Sequence, residues 1–136
     1  MVVAVSVLLL ERILLYKIKF TNEVSIMLDL FTKKRIEKIL SEYIEAKVPK
    51  HIRNQIRLNY KFRGDSVTLN EERPAYNSEV WVELPIAQFR FEENKWKIYW
   101  RDSKKKWHFV DDFAPQDDFE KQLEIVDNDS RGMFWG

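Results

Sequence analysis

Apolar and polar residues alternate through the middle of the chain, and polar turns interrupt the alternation. From Gln88 to Val110, aromatic and β-branched residues recur at every second place in Gln88–Phe91, Trp96–Arg101 and Trp107–Val110. The stretches Glu92–Lys95 and Asp102–Lys106 divide these runs. Period-two patterning cut by short polar turns predicts an antiparallel meander. Upstream, Ile56, Leu58, Tyr60 and Phe62 alternate with Arg57, Asn59, Lys61 and Arg63, and Gly64-Asp65 follows. This reads as a strand ending in a tight turn. Val67 and Leu69 continue the apolar face on a second strand, closed by Glu71–Pro74 and a loop to about Ser78. Within Glu79–Phe91 the phase changes: Val80, Val82, Leu84 and Ile86 share one parity, and Ala87, Phe89 and Phe91 the other. A one-residue slip beside Pro85 predicts a bulge or an edge kink. The inner residues expected for the last two strands are Trp96, Ile98, Trp100, Trp107 and Phe109, with Trp107 opposite Trp100.

Helical periodicity flanks the sheet. Ile36, Ile39, Leu40, Tyr43 and Ile44 form one apolar stripe, with Lys33, Lys34, Arg35, Lys38, Glu42 and Glu45 around it. The spacing predicts an amphipathic helix over about 30–47, capped by Asp29 or Thr32 and ended by Val48-Pro49. Pro115, Phe119, Leu123 and Val126 predict a short acidic helix over about 116–127. The aromatic tail, Phe134-Trp135, is expected to tuck onto the sheet. Before Met27 the pattern is lost. Val2–Leu10 is apolar except for Ser6, too short for the roughly 20 residues of a membrane span. It lacks the basic start and cleavage site of a signal peptide. Leu14–Phe20 looks strand-like, and residues 1–26 are expected to be an extension outside a domain spanning 27–136. The fold class expected is therefore α+β: an N-terminal amphipathic helix, a five-stranded antiparallel meander, a short C-terminal helix and an aromatic tail.

Composition adds little beyond a sizeable core: 45% of the 136 residues are hydrophobic and 14% aromatic. The chain has no Cys, which removes disulfides and Cys-based zinc sites and agrees with a reducing, cytoplasmic location. Charge changes the picture more. The net +1 conceals ten Lys or Arg against four acids in residues 27–63, and two against eight in residues 111–136. Either the two regions neutralise each other within the fold, or a basic patch awaits a polyanion.

No residue set assembles a catalytic or metal-binding constellation, so no catalytic residue, metal or cofactor is expected. Asp127-x-Asp129-x-Arg131-Gly132 has Arg131 where a calcium loop needs Asp or Asn, and Asp129 reads better as a tail anchor. His51 and His108 have no Ser, Cys or metal-ligand partner at a meaningful spacing; His108 is expected on the outer sheet face or hydrogen-bonded to a carboxylate. Glu72 and Arg73, at a strand end before Pro74, are either a structural ion pair or a ligand clamp for a carboxylate or other anion. The outer sheet face collects Arg57, Lys61, Arg63, Arg90, Lys97 and Arg101, with Tyr99, Asn59, Asn70 and Gln88 among them. This is either an ordinary solvated face or a platform for a nucleic-acid backbone with one stacked base.

Four motifs together resemble a known family. They are Glu72-Arg73-Pro74, the Trp96–Asp102 run with Tyr99 and Trp100, Lys106-Trp107, and the terminal Asp129-x-x-Gly132-x-Phe134-Trp135-Gly136. From about Leu28 to the last residue the chain resembles the small bacterial family called domain of unknown function 3024. The resemblance implies a small bacterial domain and assigns no activity and no site residue. The function expected first is a non-enzymatic binding or protein-interaction module with a protein partner, and no membrane. The alternative is single-stranded nucleic-acid binding through the basic face. If residues 1–26 are dispensable, a chain starting at Met27 will melt within about 10 °C of the full chain; a larger drop, on the order of 2 kcal/mol, would show that the extension packs on the core.

Overall fold

No Pro or Gly occurs between Val2 and Lys47, and nothing in that stretch forces a helix to stop. In the structure, a computed structural model, helix α1 accordingly runs over Val2–Lys47. The structure describes the backbone of residues 2–76 and 79–135, with the side chains of residues 9–17, 29–76 and 79–135. The apolar side chains of Val2–Leu8, the loop residues Asn77 and Ser78, and the terminal Gly136 lie outside the described residues. The continuous helix corrects two expectations. Leu14–Phe20 is helical, and Asp29 and Thr32 lie inside the helix rather than capping it. A residue with cap chemistry starts a helix only where the preceding backbone leaves helical angles, and here it does not. Two compact units are formed, Met1–Lys38 and Ile39–Gly136. In the first, Leu9, Leu10, Ile13, Leu14, Leu15 and Tyr16 are exposed along the helix.

In the second unit α1 ends at Lys47, and Pro49 leads into a short 3-10 turn over Lys50–Ile52. The sheet then forms as a meander: β1 (Arg57–Arg63), β2 (Ser66–Pro74), β3 (Trp81–Glu92), β4 (Lys95–Arg101) and β5 (Trp107–Phe109), in the order β1-β2-β3-β4-β5. Every neighbouring pair is antiparallel. Gly64 takes a left-handed φ of 57° in the first turn, and Glu93 and Asn94 take 54° and 62° in the turn between β3 and β4. Two consecutive positive φ values match the right-handed twist of the strands they join. The phase slip in β3 is a register shift: Leu69 faces Ala87 and Asn70 faces Pro85, leaving Ile86 as the extra residue. Past it, Leu84 pairs with Glu71 and Val82 with Arg73, so β2 pairs through Pro74 instead of closing at Glu71.

One strand is out of phase with expectation. Arg101 pairs with Trp107, Trp100 with His108, and Tyr99 with Phe109. A five-residue turn, Asp102–Lys106, sets this pairing, and a one-residue difference moves every side chain to the other face. Trp107 and Phe109 therefore share the face of Tyr99 and Arg101, and His108 takes the side expected for Trp107. His108 stacks on Trp100 with ring centroids 4.9 Å apart. The Asp102 carboxylate organises this turn, accepting the Lys104 and Lys106 amides at 2.8 and 2.9 Å and contacting His108 Nε2 at 2.6 Å.

The core lies on the face of Trp96, Ile98 and Trp100, opposite Tyr99 and Phe109. Val67, Leu69, Ala87, Phe89 and Ile98 are buried there. Helix α2 covers Phe119–Asn128 and buries Phe119, Gln122, Leu123 and Val126. It begins later than Pro115 implied, because Gln116 is held as a backbone bridge to Trp96: Trp96 N donates to Gln116 O at 2.6 Å and Gln116 N to Trp96 O at 3.1 Å. Asp118 supplies the actual cap, accepting the Glu120 amide at 3.0 Å. Buried Gln122 donates to Trp96 O at 2.8 Å. Trp96 itself packs on Phe91 and Phe119, with centroids at 5.0 and 5.2 Å. The tail is fastened chiefly to the end of α2. Asp129 accepts the Phe134 and Trp135 amides at 3.1 and 2.9 Å, and Trp135 Nε1 donates to Val126 O at 2.9 Å.

Asp127 joins α2 to the last turns of α1. Its Oδ1 accepts from Tyr43 Oη at 2.7 Å and from Lys47 Nζ at 2.8 Å. The Lys47 hydrogen bond, and then that of Tyr43, hold the Asp127 carboxyl below its ordinary range. Its stabilising contribution is present above the unfolded-state value near 4 and is lost as pH falls through the lower folded value. Asp127→Asn should cost about 1 kcal/mol or less at neutral pH, because the pair is partly solvated. It should also flatten the acid limb of the stability–pH curve; an unchanged limb in denaturant melts would sink the assignment. Trp96→Ala should cost about 3–5 kcal/mol, and half-buried Trp100→Ala about 1–2 kcal/mol. Denaturant midpoints compare the two, and equal losses would contradict the packing described.

Candidate nucleic-acid interface

Strand alternation and register decide which side chains meet on the outer face. Arg63 pairs with Ser66, Ser66 with Arg90, and Arg90 with Lys97, which makes one row across four strands. The adjacent row runs Lys61, Thr68, Gln88, Tyr99, Phe109. Arg101 lies beside Trp107, and Arg57 pairs with Glu72. All six cations expected on this face therefore share it, and Tyr99, Asn59, Asn70 and Gln88 share it with them. His108 does not.

The face has two chemically different ends. Near Glu72 and Glu83 the charges are matched. Lys61 Nζ contacts both Glu83 oxygens at 2.9 Å. Asn59 donates to Glu72 and to Glu83, and buried Asn70 donates to Asn59 at 3.0 Å. The Glu83 carboxyl is held below its ordinary range, chiefly by Lys61. Arg57 lies flat over the Trp81 ring, 3.9 Å from its centroid.

Toward β4 and β5 the surface is cationic and aromatic. The Arg90 guanidinium sits 3.8 Å from the Tyr99 ring centroid, and its Nε donates to Gln88 at 2.7 Å. Gln88 in turn donates to Thr68 at 2.9 Å, so the guanidinium is held by a short polar chain. Tyr99 and Phe109 have centroids 5.7 Å apart, and Phe109 is 41% exposed. Lys97 lies over Phe109 at 5.8 Å and Arg101 over Trp107 at 6.0 Å. Lys97 also pairs with Glu92 at 3.3 Å. Arg101 Nε is buried with no hydrogen-bond partner among the described residues. Cations resting on aromatic faces keep their charge and present a flat, partly apolar surface.

Glu72 and Arg73 are not brought together. As neighbours on a strand they point to opposite faces. Glu72 accepts from Asn59 on the outer face, and Arg73 reaches Glu71 on the core face at 2.6 Å. Asp129 has both oxygens engaged by tail amides, the anchoring role that was the alternative to a calcium loop. The outer-face aromatics Trp81, Trp107 and Phe109 were missed by parity counted from the hydrophobic pattern. Turn length was the available signal for the last two, since five turn residues pair Arg101 with Trp107.

Residues 28–136 match the family described as Domain of unknown function (DUF3024). The chain belongs to this family. Comparison with curated proteins and with solved structures found no match. DUF3024 membership thus covers the whole sheet, α2 and the tail, and names no ligand for the outer face.

Proposed function

We propose that this DUF3024 domain is a binding module and that its outer sheet face binds single-stranded nucleic acid. The observation that carries the reading is the pair of adjacent cross-strand rows, Arg63–Arg90–Lys97 beside Tyr99–Phe109. A single strand offers phosphates and base faces side by side at a similar spacing. The cationic row suits the phosphates. Exposed Phe109, and the Arg90 guanidinium lying on Tyr99, suit stacked bases.

Fluorescence anisotropy with labelled 12-mers of single-stranded RNA and DNA tests this. Neutralising three or four phosphates should weaken binding about 20–50-fold between 50 and 200 mM salt. Phe109→Ala should remove roughly 1–3 kcal/mol of binding, and Arg90→Ala should reduce both affinity and salt dependence. No binding at low salt and micromolar protein, or binding indifferent to both substitutions, would end the reading. A second reading, a protein-interaction module, is favoured by Val80, Val82 and Leu84, which are 65%, 42% and 50% exposed along β3 and the approach to it. Val82 and Leu84 on β3, with Val80 just before it, make a contact surface for an apolar partner. Capture of one partner by the wild type and its loss in Leu84→Lys, with nuclease present, would support that reading over the first.

A further inference from the structure

On the core face, at the end of the sheet away from α2's first turn, β1 and β2 leave a cavity of about 180 Å³. Val48, Ile52, Ile56, Leu58 and Trp135 wall it with apolar surface, and Glu71, Arg73 and Lys47 supply its polar groups. Sites for drug-sized ligands occupy roughly 300–1,000 Å³, so this one suits a group the size of a single large side chain. Its lining holds two cations and one acid. Glu71 is buried, and its side chain is only 9% exposed, whereas that of Arg73 is 60% exposed. The contact between them uses one edge of the guanidinium, with Nε and Nη2 both directed at Glu71 Oε1 at 2.6 Å. A guanidinium has a second donor edge, formed by Nη1 and the other Nη2 hydrogen, that fits a carboxylate bidentately. Glu71 thus acts as a positioning residue: it fixes the plane of Arg73 at the cavity rim. Trp135 is fixed in the wall by its hydrogen bond to Val126 O and by the Lys47 ammonium 5.5 Å from its ring.

We propose that this cavity binds a small apolar group ending in a carboxylate, with the apolar body between Leu58 and Trp135 and the carboxylate on the outer edge of Arg73. Two sources share this chemistry: a free branched aliphatic acid and the C-terminal residue of a peptide. The site is on the opposite face from the proposed nucleic-acid surface and stands independently of it.

The test is titration of the full chain, followed by the Trp135 indole N–H resonance, which is assigned by its absence in Trp135→Phe. The probes are 4-methylpentanoate, 4-methylpentanamide and an acetylated tripeptide ending in leucine. An acid of this size, held by one ion pair in an open cavity, should saturate the shift at about 1–10 mM. The amide should bind at least about tenfold more weakly, because it loses the charge-assisted pair. Tighter binding of the tripeptide than of the free acid assigns the peptide source, and the reverse assigns the small molecule. Arg73→Gln should weaken the acid about tenfold or more. Arg73→Lys, which retains a charge for Glu71 but not the fork, should weaken it several-fold while leaving a folded spectrum. No saturable shift with either carboxylate, or an amide that binds as tightly as the acid, overturns the proposal.

Discussion

The period-two geometry of the strands, held in register by turns of set length, is the constraint on which the rest depends. Successive side chains point to opposite faces, so one residue more or less in a turn exchanges a strand's buried and solvated sets. The Arg63-to-Ser66 and Glu92-to-Lys95 turns are each two residues long, with left-handed φ at Gly64 in the first and at Glu93 and Asn94 in the second. They hold β1 with β2 and β3 with β4 in one phase, which places Val67, Phe89 and Ile98 side by side in the core. The bulge at Ile86 is the one interruption, and beyond it the same face leaves the main core. Val82 and Leu84 keep the inward parity and yet stay exposed. The open end of the sheet, with the Glu71–Arg73 pair, follows from that displacement.

A meander alone buries only one face against something else, and here the C-terminal segment supplies the cover. The contacts that fix it are mainly polar and local to a few atoms. Trp96 donates and accepts across the Gln116 bridge, and its carbonyl also takes the Gln122 amide. A carbonyl with two donors uses both of its lone pairs, which sets Phe119 against Phe89 and Trp96 with little freedom. Asp129, at a left-handed φ of 43°, ends α2 and turns the chain so that its carboxylate meets the tail amides. The tail then returns Trp135 to the wall of the cavity. The short motif around Asp129, Phe134 and Trp135 is therefore intelligible as one folded unit: a cap, a turn and an anchor.

Much of this fold was legible in the sequence because each strand of the meander carries its own alternation. The five strands, the slip beside Pro85, the stop at Pro49 and the stripe Phe119, Leu123, Val126 could all be read from local pattern. Two of the failures, at the start of α2 and in β5, are non-local, and the others, at Arg73 and in α1, are local. The start of α2 depended on Gln116 finding Trp96, twenty residues upstream, and periodicity within the helix carries no trace of that bridge. The side taken by Trp107 and Phe109 depended on the length of the Asp102–Lys106 turn, and a three-residue strand has too few positions for its own pattern to settle the phase. The partner of Arg73 depended on alternation: the adjacent Glu72 is the nearest acid in sequence and the wrong one in space. The six cations of the outer face were legible because they sit on strands whose parity was unambiguous.

The charge segregation along the chain left two outcomes open, and the contacts bear on both: Asp127, from the acidic stretch, pairs with Lys47, from the basic one, at 2.8 Å. If the acidic C-terminal region served to neutralise the basic sheet face, its carboxylates would be engaged by the cations of that face. Four of them have other partners. Asp118 caps α2, Asp127 takes Tyr43 and Lys47, Asp129 takes the tail amides, and Asp112 takes Arg131. The carboxylates that meet the outer face come from the sheet itself: Glu83 to Lys61 and Glu92 to Lys97. The Lys61–Glu83 contact is largely solvated and the Lys97–Glu92 contact partly so, and such pairs contribute little. Arg90 and Arg101 instead lie against aromatic rings, which hold the guanidinium without neutralising it. The guanidinium groups of the outer face thus keep their charge, while Asp112, Asp118, Asp127 and Asp129 are committed to α2 and the tail.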